Sequence, residues 1–167
     1  MPETELHGPR WLSRVDSRQV LDGELELRSP LYLLARDGRI WRVEPGSRTD
    51  GSSIPGLARG VMPRWDLVLG AGAVHDAAYR TGRLQVSTDG DQSFAWLEVS
   101  REQADDLWRQ GAWAEQEMRW REYPPASVWE WVKRRVDRTR RSAQIAAGHR
   151  ALRLFGRRAW QGSPELA

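Results

Sequence analysis

The stretch Leu67-Val-Leu-Gly-Ala-Gly-Ala-Val-His-Asp-Ala-Ala-Tyr-Arg-Thr81 carries the reading of this chain. Its small and apolar residues, with no proline among them, predict a helix from about Trp65 to Tyr79. Gly82 is its natural stop, since glycine accepts the left-handed conformation that ends a helix. At about 3.6 residues per turn, His75 and Tyr79 lie one turn apart on one face, with Asp76 beside them. A base, a carboxylate and a phenol packed this closely on a helix of small residues form a candidate site.

Working outward, the residues before this helix read as β structure. Glu24-Leu-Glu-Leu27 alternates, and Leu31-Tyr-Leu-Leu34 and Ile40-Trp-Arg-Val43 flank Asp37-Gly38. An Asp-Gly between apolar runs predicts a hairpin, because both residues tolerate positive φ. Thr49-Asp-Gly-Ser-Ser-Ile-Pro55 follows as a turn-rich loop. After the helix, Leu84-Gln-Val86 and Phe94-Ala-Trp-Leu-Glu-Val99 surround a run of turn formers and predict a second hairpin. Ser100-Arg-Glu-Gln103 is a capping box that opens another helix. There Ala104, Leu107, Trp108, Gly111, Ala112 and Ala114 or Glu115 recur at helical spacing, until Tyr123-Pro-Pro125 ends it. A basic helix runs from about Ser127 to Phe155, with Gly156 near its end. The expectation is one α+β domain over residues 1–167, with N-terminal β-hairpins packed on a helical core. Residues 1–56 are mainly β, 63–82 form the His-Asp helix, 84–99 an inserted hairpin, and 100–160 are helical, closing with the long basic helix.

The chain has 167 residues and no cysteine, which excludes disulfides, thiolate metal sites and a cysteine nucleophile. No signal pattern and no apolar run of about 20 residues is present, so the reading is neither a secreted nor a membrane-spanning chain. Net charge is +3, yet residues 129–160 alone carry ten basic side chains against Glu130 and Asp137. Lys133 is the single lysine. This arginine bias fits either bidentate partner contacts or a GC-rich coding genome. Ten tryptophans supply more than a core of this size needs, leaving some for an interface with protein or lipid headgroups.

The candidate site widens when its neighbours are added. Tyr79 can bond a carboxylate that orients the His75 ring, and Asp105 can supply that carboxylate if the two helices pack antiparallel. In the loop before them, Thr49, Ser52 and Ser53 offer hydroxyls, and Gly51 lets backbone approach a ligand. His7 and His149 are expected to face solvent and have no ligand spacing to His75, which argues against zinc. No Gly-x-Ser-x-Gly, Walker or Gly-x-Gly-x-x-Gly string occurs, against serine-hydrolase and nucleotide chemistry.

The basic helix has three readings. Trp129, Val132, Val136, Ala143, Ala147, Leu154 and Phe155 fall near helical spacing and are expected to pack on the domain. Alternatively Trp129, Trp131, Arg134, Arg135 and Arg138 meet a protein partner or an anionic membrane. Nucleic acid is disfavoured, since aromatics for base stacking are not interleaved in the arginine run.

Thr49 to Pro55, Ala73-Val-His-Asp-Ala-Ala-Tyr79 and Ser100-Arg-Glu-Gln-Ala-Asp105 together resemble the phage-encoded "domain of unknown function 1353" family. Arg150-Ala-Leu-Arg-Leu-Phe-Gly156 with Ala159-Trp160 is similar to its closing helix, so the likeness spans about residues 46–160. It implies a bacteriophage or prophage origin, with the phage particle or host cytoplasm as location. His-Asp-x-x-Tyr on one helix and Ala-Asp on another also resemble, more distantly, the core of phospholipase A2 in its short viral, cysteine-free form. That resemblance would make His75 the base that activates water, Asp105 its orienting partner and Tyr79 the support of Asp105. Asp76 would bind calcium, with Asp50 as an extra ligand. The family's Tyr-x-Gly-x-Gly calcium loop does not occur here, and Thr49 to Pro55 stands in its place. Two functions follow: a calcium-assisted lipid or ester hydrolase at the host envelope, or a non-catalytic virion or assembly protein in which the same residues are a structural knot.

Overall fold

The computed structural model describes residues 8–21, 23–50, 69–88, 93–158 and 160. The expected helix start at Trp65, the loop residues Gly51, Ser52 and Ser53, and His7 lie outside the described residues. The architecture is α+β, as expected: among the described residues there are two antiparallel sheets and three α-helices.

Strands β1 (Arg10–Trp11), β2 (Ser17–Leu21), β3 (Glu24–Leu27), β4 (Leu31–Leu34), β5 (Ile40–Val43) and β6 (Arg48–Thr49) precede helix α1 (Leu69–Thr81). Strands β7 (Arg83–Ser87) and β8 (Ala95–Glu98) follow, then helices α2 (Arg101–Glu122) and α3 (Val128–Phe155) and a 3-10 turn at Gly156–Arg158. The hairpin at Asp37-Gly38 forms as its turn chemistry requires. Gly38 has φ +82°, and Leu34 pairs with Ile40 across it. Alternation then decides which face is buried. Leu31 and Leu33 on β4 with Ala35 just beyond it, Trp41 and Val43 on β5, and Leu84 and Val86 on β7 all lie inside. The register sets Leu33 opposite Trp41 and Trp41 opposite Val86, so the core side chains form a continuous row across three strands.

The second hairpin lies between α1 and α2 in sequence. It joins the first through β5–β7 pairing, giving one sheet in the order β1-β4-β5-β7-β8. The strands β1, β2 and β6 were not legible, being either two residues long or poor in apolar alternation. β2, β3 and β6 make a second sheet of three strands.

Each expected helix boundary that falls among the described residues follows its local chemistry. Gly82, at φ +66°, returns its amide to the Ala78 carbonyl at 2.8 Å and ends α1. The Ser100 hydroxyl accepts from the Gln103 amide while the Gln103 side chain accepts from the Ser100 amide, a complete capping box. Ser127 caps α3 in the same way by accepting from the Glu130 amide.

The packing of α3 departs from expectation. Trp129, Val132, Val136, Ala143, Ala147, Leu154 and Phe155 are exposed, and α3 instead meets α2 through Ile145, Gly148 and Leu152. The helix carries two apolar stripes on roughly opposite sides, and residue spacing alone does not say which one finds a partner. His149 is likewise turned inward: it is 16% exposed and its Nε2 lies 3.0 Å from Asp106 Oδ1. Among the described residues no helix is long and apolar enough to cross a membrane.

Candidate active site

The site is built where α1 and α2 cross, and small residues bring them together. Gly70 and Gly111 both face the Trp11 indole so closely that an added Cβ would lie 2.9 Å from its Cζ2 in either case. At Gly111 the same Cβ would also be 3.1 Å from the Ala71 methyl. The Trp11 Nε1 donates to the Gly111 carbonyl at 3.0 Å, pinning β1 to this crossing. Nearby, Glu115 accepts from the Gly70 amide at 3.0 Å. Gly70 thus meets Glu115 while His75 and Tyr79 meet Asp105, so the helices run antiparallel, the arrangement on which the site depended.

His75 and Asp105 are fully buried. His75 Nε2 lies 3.3 Å from Asp105 Oδ1, and the Tyr79 hydroxyl donates to the same oxygen at 2.6 Å. The His75 and Tyr79 rings stack with centroids 3.9 Å apart. On the other side of the imidazole, Nδ1 has no hydrogen-bond partner among the described residues; the Asp76 carboxylate oxygen Oδ1 lies 3.6 Å away. Asp76 is itself held by Thr49, whose hydroxyl donates to Oδ2 at 2.7 Å, and by the Asp50 amide at 3.3 Å. Thr49 is fully buried on β6, so this hydroxyl ties the second sheet to the His-Asp helix.

Arg101, Gly156 and Trp160 complete the surroundings and were missed in the sequence. Arg101 Nη1 lies 3.5 Å from Asp105 Oδ2 and donates to the Arg153 carbonyl at 3.2 Å, joining the carboxylate to the end of α3. Its spacing of four from Asp105 was a readable signal. Gly156 packs directly on the Tyr79 hydroxyl, leaving no room for a Cβ, and Trp160 meets the Tyr79 ring edge-on at 5.1 Å. Neither contact has a local signature.

The charges interlock. Burial is the largest influence on His75 and lowers its pKa, but the Asp105 and Asp76 carboxylates outweigh it and raise the pKa above 6.5. Burial raises the Asp76 pKa, yet His75, Thr49 and Arg80 together hold it below the ordinary value. Tyr79 is pushed far up by burial and by the negative charge of Asp105, so it stays a phenol and a donor.

The basic-helix candidates do not share a face. Trp129 points to solvent. Arg135 lies over the exposed Trp131 ring at 5.3 Å. Arg138 turns to α2, donating to Glu117 at 2.7 Å and stacking over Trp120, and Arg134 lines a groove against α2 with Gln116 and Trp120. An open cleft of about 540 Å³ between Trp11, Arg36, Trp113 and Arg121 lies toward the other end of α2 from Asp105 and is not an entrance to His75.

A fold of two antiparallel sheets with a buried His-Asp-Tyr network between crossed helices defines the class of protein structurally. The family model described as "Protein of unknown function (DUF1353)" matches residues 25–124, more than half the chain, and the protein belongs to that family. The match takes in the strands from β3 onward, α1 and α2, and stops short of α3, whose likeness to a closing helix lies outside it. No curated protein and no solved structure matches the chain.

Proposed function

We propose that His75, Asp105 and Tyr79 form a hydrolytic site acting on a lipid or other carboxylic ester. The observation that carries this reading is the asymmetry of the imidazole. Nε2 is held by Asp105, which Tyr79 in turn holds, while Nδ1 makes no hydrogen bond among the described residues and has Asp76 Oδ1 3.6 Å away. A histidine whose far nitrogen donates to a carboxylate presents a lone pair at the near one. Nδ1 would take a proton from water as the water oxygen bonds to the ester carbonyl carbon. Asp105 stabilises the imidazolium that forms, and Nδ1–H then returns the proton to the departing alkoxide. The neutral imidazole is the working form, so activity rises with pH through a value above 6.5.

Calcium would polarise the carbonyl if bound by several oxygens. Asp76 already accepts from Thr49 and Asp50 through one oxygen, and among the described residues no three metal-ligating side chains converge. The loop residues Gly51, Ser52 and Ser53, which would complete an oxygen shell, lie outside the described residues, so no step is assigned to the ion.

The full burial of His75 and Asp105 supports a second reading. In this reading the network is a structural knot that fixes the α1–α2 crossing in a phage particle or assembly protein. The two are separated by incubating the intact protein with vesicles containing phosphatidylglycerol, with and without calcium, and measuring released fatty acid. Under the hydrolase reading the protein releases fatty acid and His75→Gln abolishes release while staying folded. No release by the intact protein under either condition overturns it.

A further inference from the structure

α3 has one face on α2 and a second, apolar face on solvent. Val128, Trp129, Val132, Val136 and Leu154 are 80%, 68%, 38%, 64% and 72% exposed. At about 100° per residue these five fall on one stripe, roughly opposite the Ile145, Gly148 and Leu152 face that meets α2. Most of the charged residues of the helix flank that stripe. Lys133 and Arg140 border it on one side, and Arg135 and Arg153 on the other, Arg153 lying 3.9 Å from Glu102; Arg150, exposed, falls on the stripe itself between Val136 and Leu154. The two acidic residues lie away from it: Glu130 is bonded to the Ala126 amide, and Asp137 lines the groove against α2 with Arg134 and Arg141. An apolar stripe edged by cations along both sides, with the acids on the far face, is complementary to an anionic surface whose interior is apolar.

We infer that the outer stripe of α3 is an interfacial membrane-binding surface, lying in the plane of an anionic bilayer with Trp129 and the valines inserted at headgroup depth. A second copy of the chain fits the same stripe poorly, since two such faces would bring four rows of like charge together. A neutral protein groove would leave the cations unused. The inference stands apart from the hydrolytic reading, because Val128, Trp129, Val132 and Val136 lie at the opposite end of α3 from the Arg153 carbonyl that Arg101 reaches.

The experiment is co-flotation of the full chain with vesicles of phosphatidylcholine alone or mixed with phosphatidylglycerol, alongside Val132→Asp/Val136→Asp. Both valines are solvent-exposed, so the double variant retains the fold, which thermal unfolding verifies. The wild type is expected to float with the phosphatidylglycerol vesicles, to remain largely unbound with phosphatidylcholine, and to lose binding as salt rises. The double variant should bind weaker by about tenfold or more. Three results would each overturn the inference: no binding to anionic vesicles, equal binding by the double variant, or a dimer in the wild type that the double variant lacks.

Discussion

At the scale of single residues the network is organised around one oxygen. Asp105 Oδ1 faces both His75 Nε2 and the Tyr79 hydroxyl, so removing either donor leaves a buried carboxylate short of a partner. Tyr79→Phe is therefore expected to destabilise the fold by about 1.5–3 kcal/mol, the range for a buried hydrogen bond to a charged group. Chemical denaturation measures this, and an unchanged midpoint would show that Asp105 is satisfied without Tyr79. The pairing of His75 with Tyr79 was legible because it is local, set by helical spacing. Arg101 was legible in principle by the same rule. Gly156 and Trp160 were not, since they reach Tyr79 from the end of α3, far along the chain, and no local pattern records such a contact.

At the scale of elements the decisive feature is how closely α1 and α2 approach. Gly111 sits between the Trp11 indole and Ala71, where a methyl group has no free volume. Gly111→Ala should cost about 1–3 kcal/mol through overpacking, despite alanine's better helix propensity. If that variant is as stable as the wild type or more so, the crossing is looser than described. The small-residue stripe, the capping box and the Asp37-Gly38 turn were all readable, because each rests on interactions within a few residues. The burial of α3 was not. Two apolar stripes on one helix are equivalent until a neighbour chooses between them, and the choice fell on Ile145, Gly148 and Leu152. The short strand β6 was hidden for a related reason: two residues make a strand only when β3 supplies the partner.

At the scale of the whole molecule the buried charges set how stability responds to pH. Burial pushes Glu115 up to about 7, against donation from the Gly70 and Ala71 amides. Between 4.5 and about 7 the folded chain therefore binds a proton that the unfolded chain releases, and stability falls as pH rises across that window. His75, raised above 6.5, contributes stability that is complete below 6.5 and is lost as pH climbs through its folded value. His149 opposes the first of these. Its pKa is lowered mainly by burial, so its contribution is lost as pH falls through the depressed value. Asp76, held low, gives stability present above 3.8 and lost as pH falls through its folded value. The thermal midpoint should decline as pH rises above 6.5. Glu115→Gln, which keeps an oxygen for the Gly70 amide, should gain about 1–3 kcal/mol above neutrality. It should also lose the slope below pH 7 while keeping His75's share above it. Thermal melts across pH test both, and a midpoint that rises above neutrality would contradict the assignment of the His75 charge.

Across these scales, the chain's own order of residues was enough for the α+β class, the hairpin at Asp37-Gly38, the ends of all three helices among the described residues, and the His75, Asp76, Tyr79 face. Each depends on energies between near neighbours: a positive φ, a cap, a period. Tertiary packing alone joined the two hairpins into one sheet, set Asp105 against Nε2 while leaving the buried Nδ1 without a hydrogen bond among the described residues, turned His149 inward and left the outer stripe of α3 in solvent. Those outcomes depend on distant surfaces competing for burial, and a side chain's partner across that distance is not written in its neighbours.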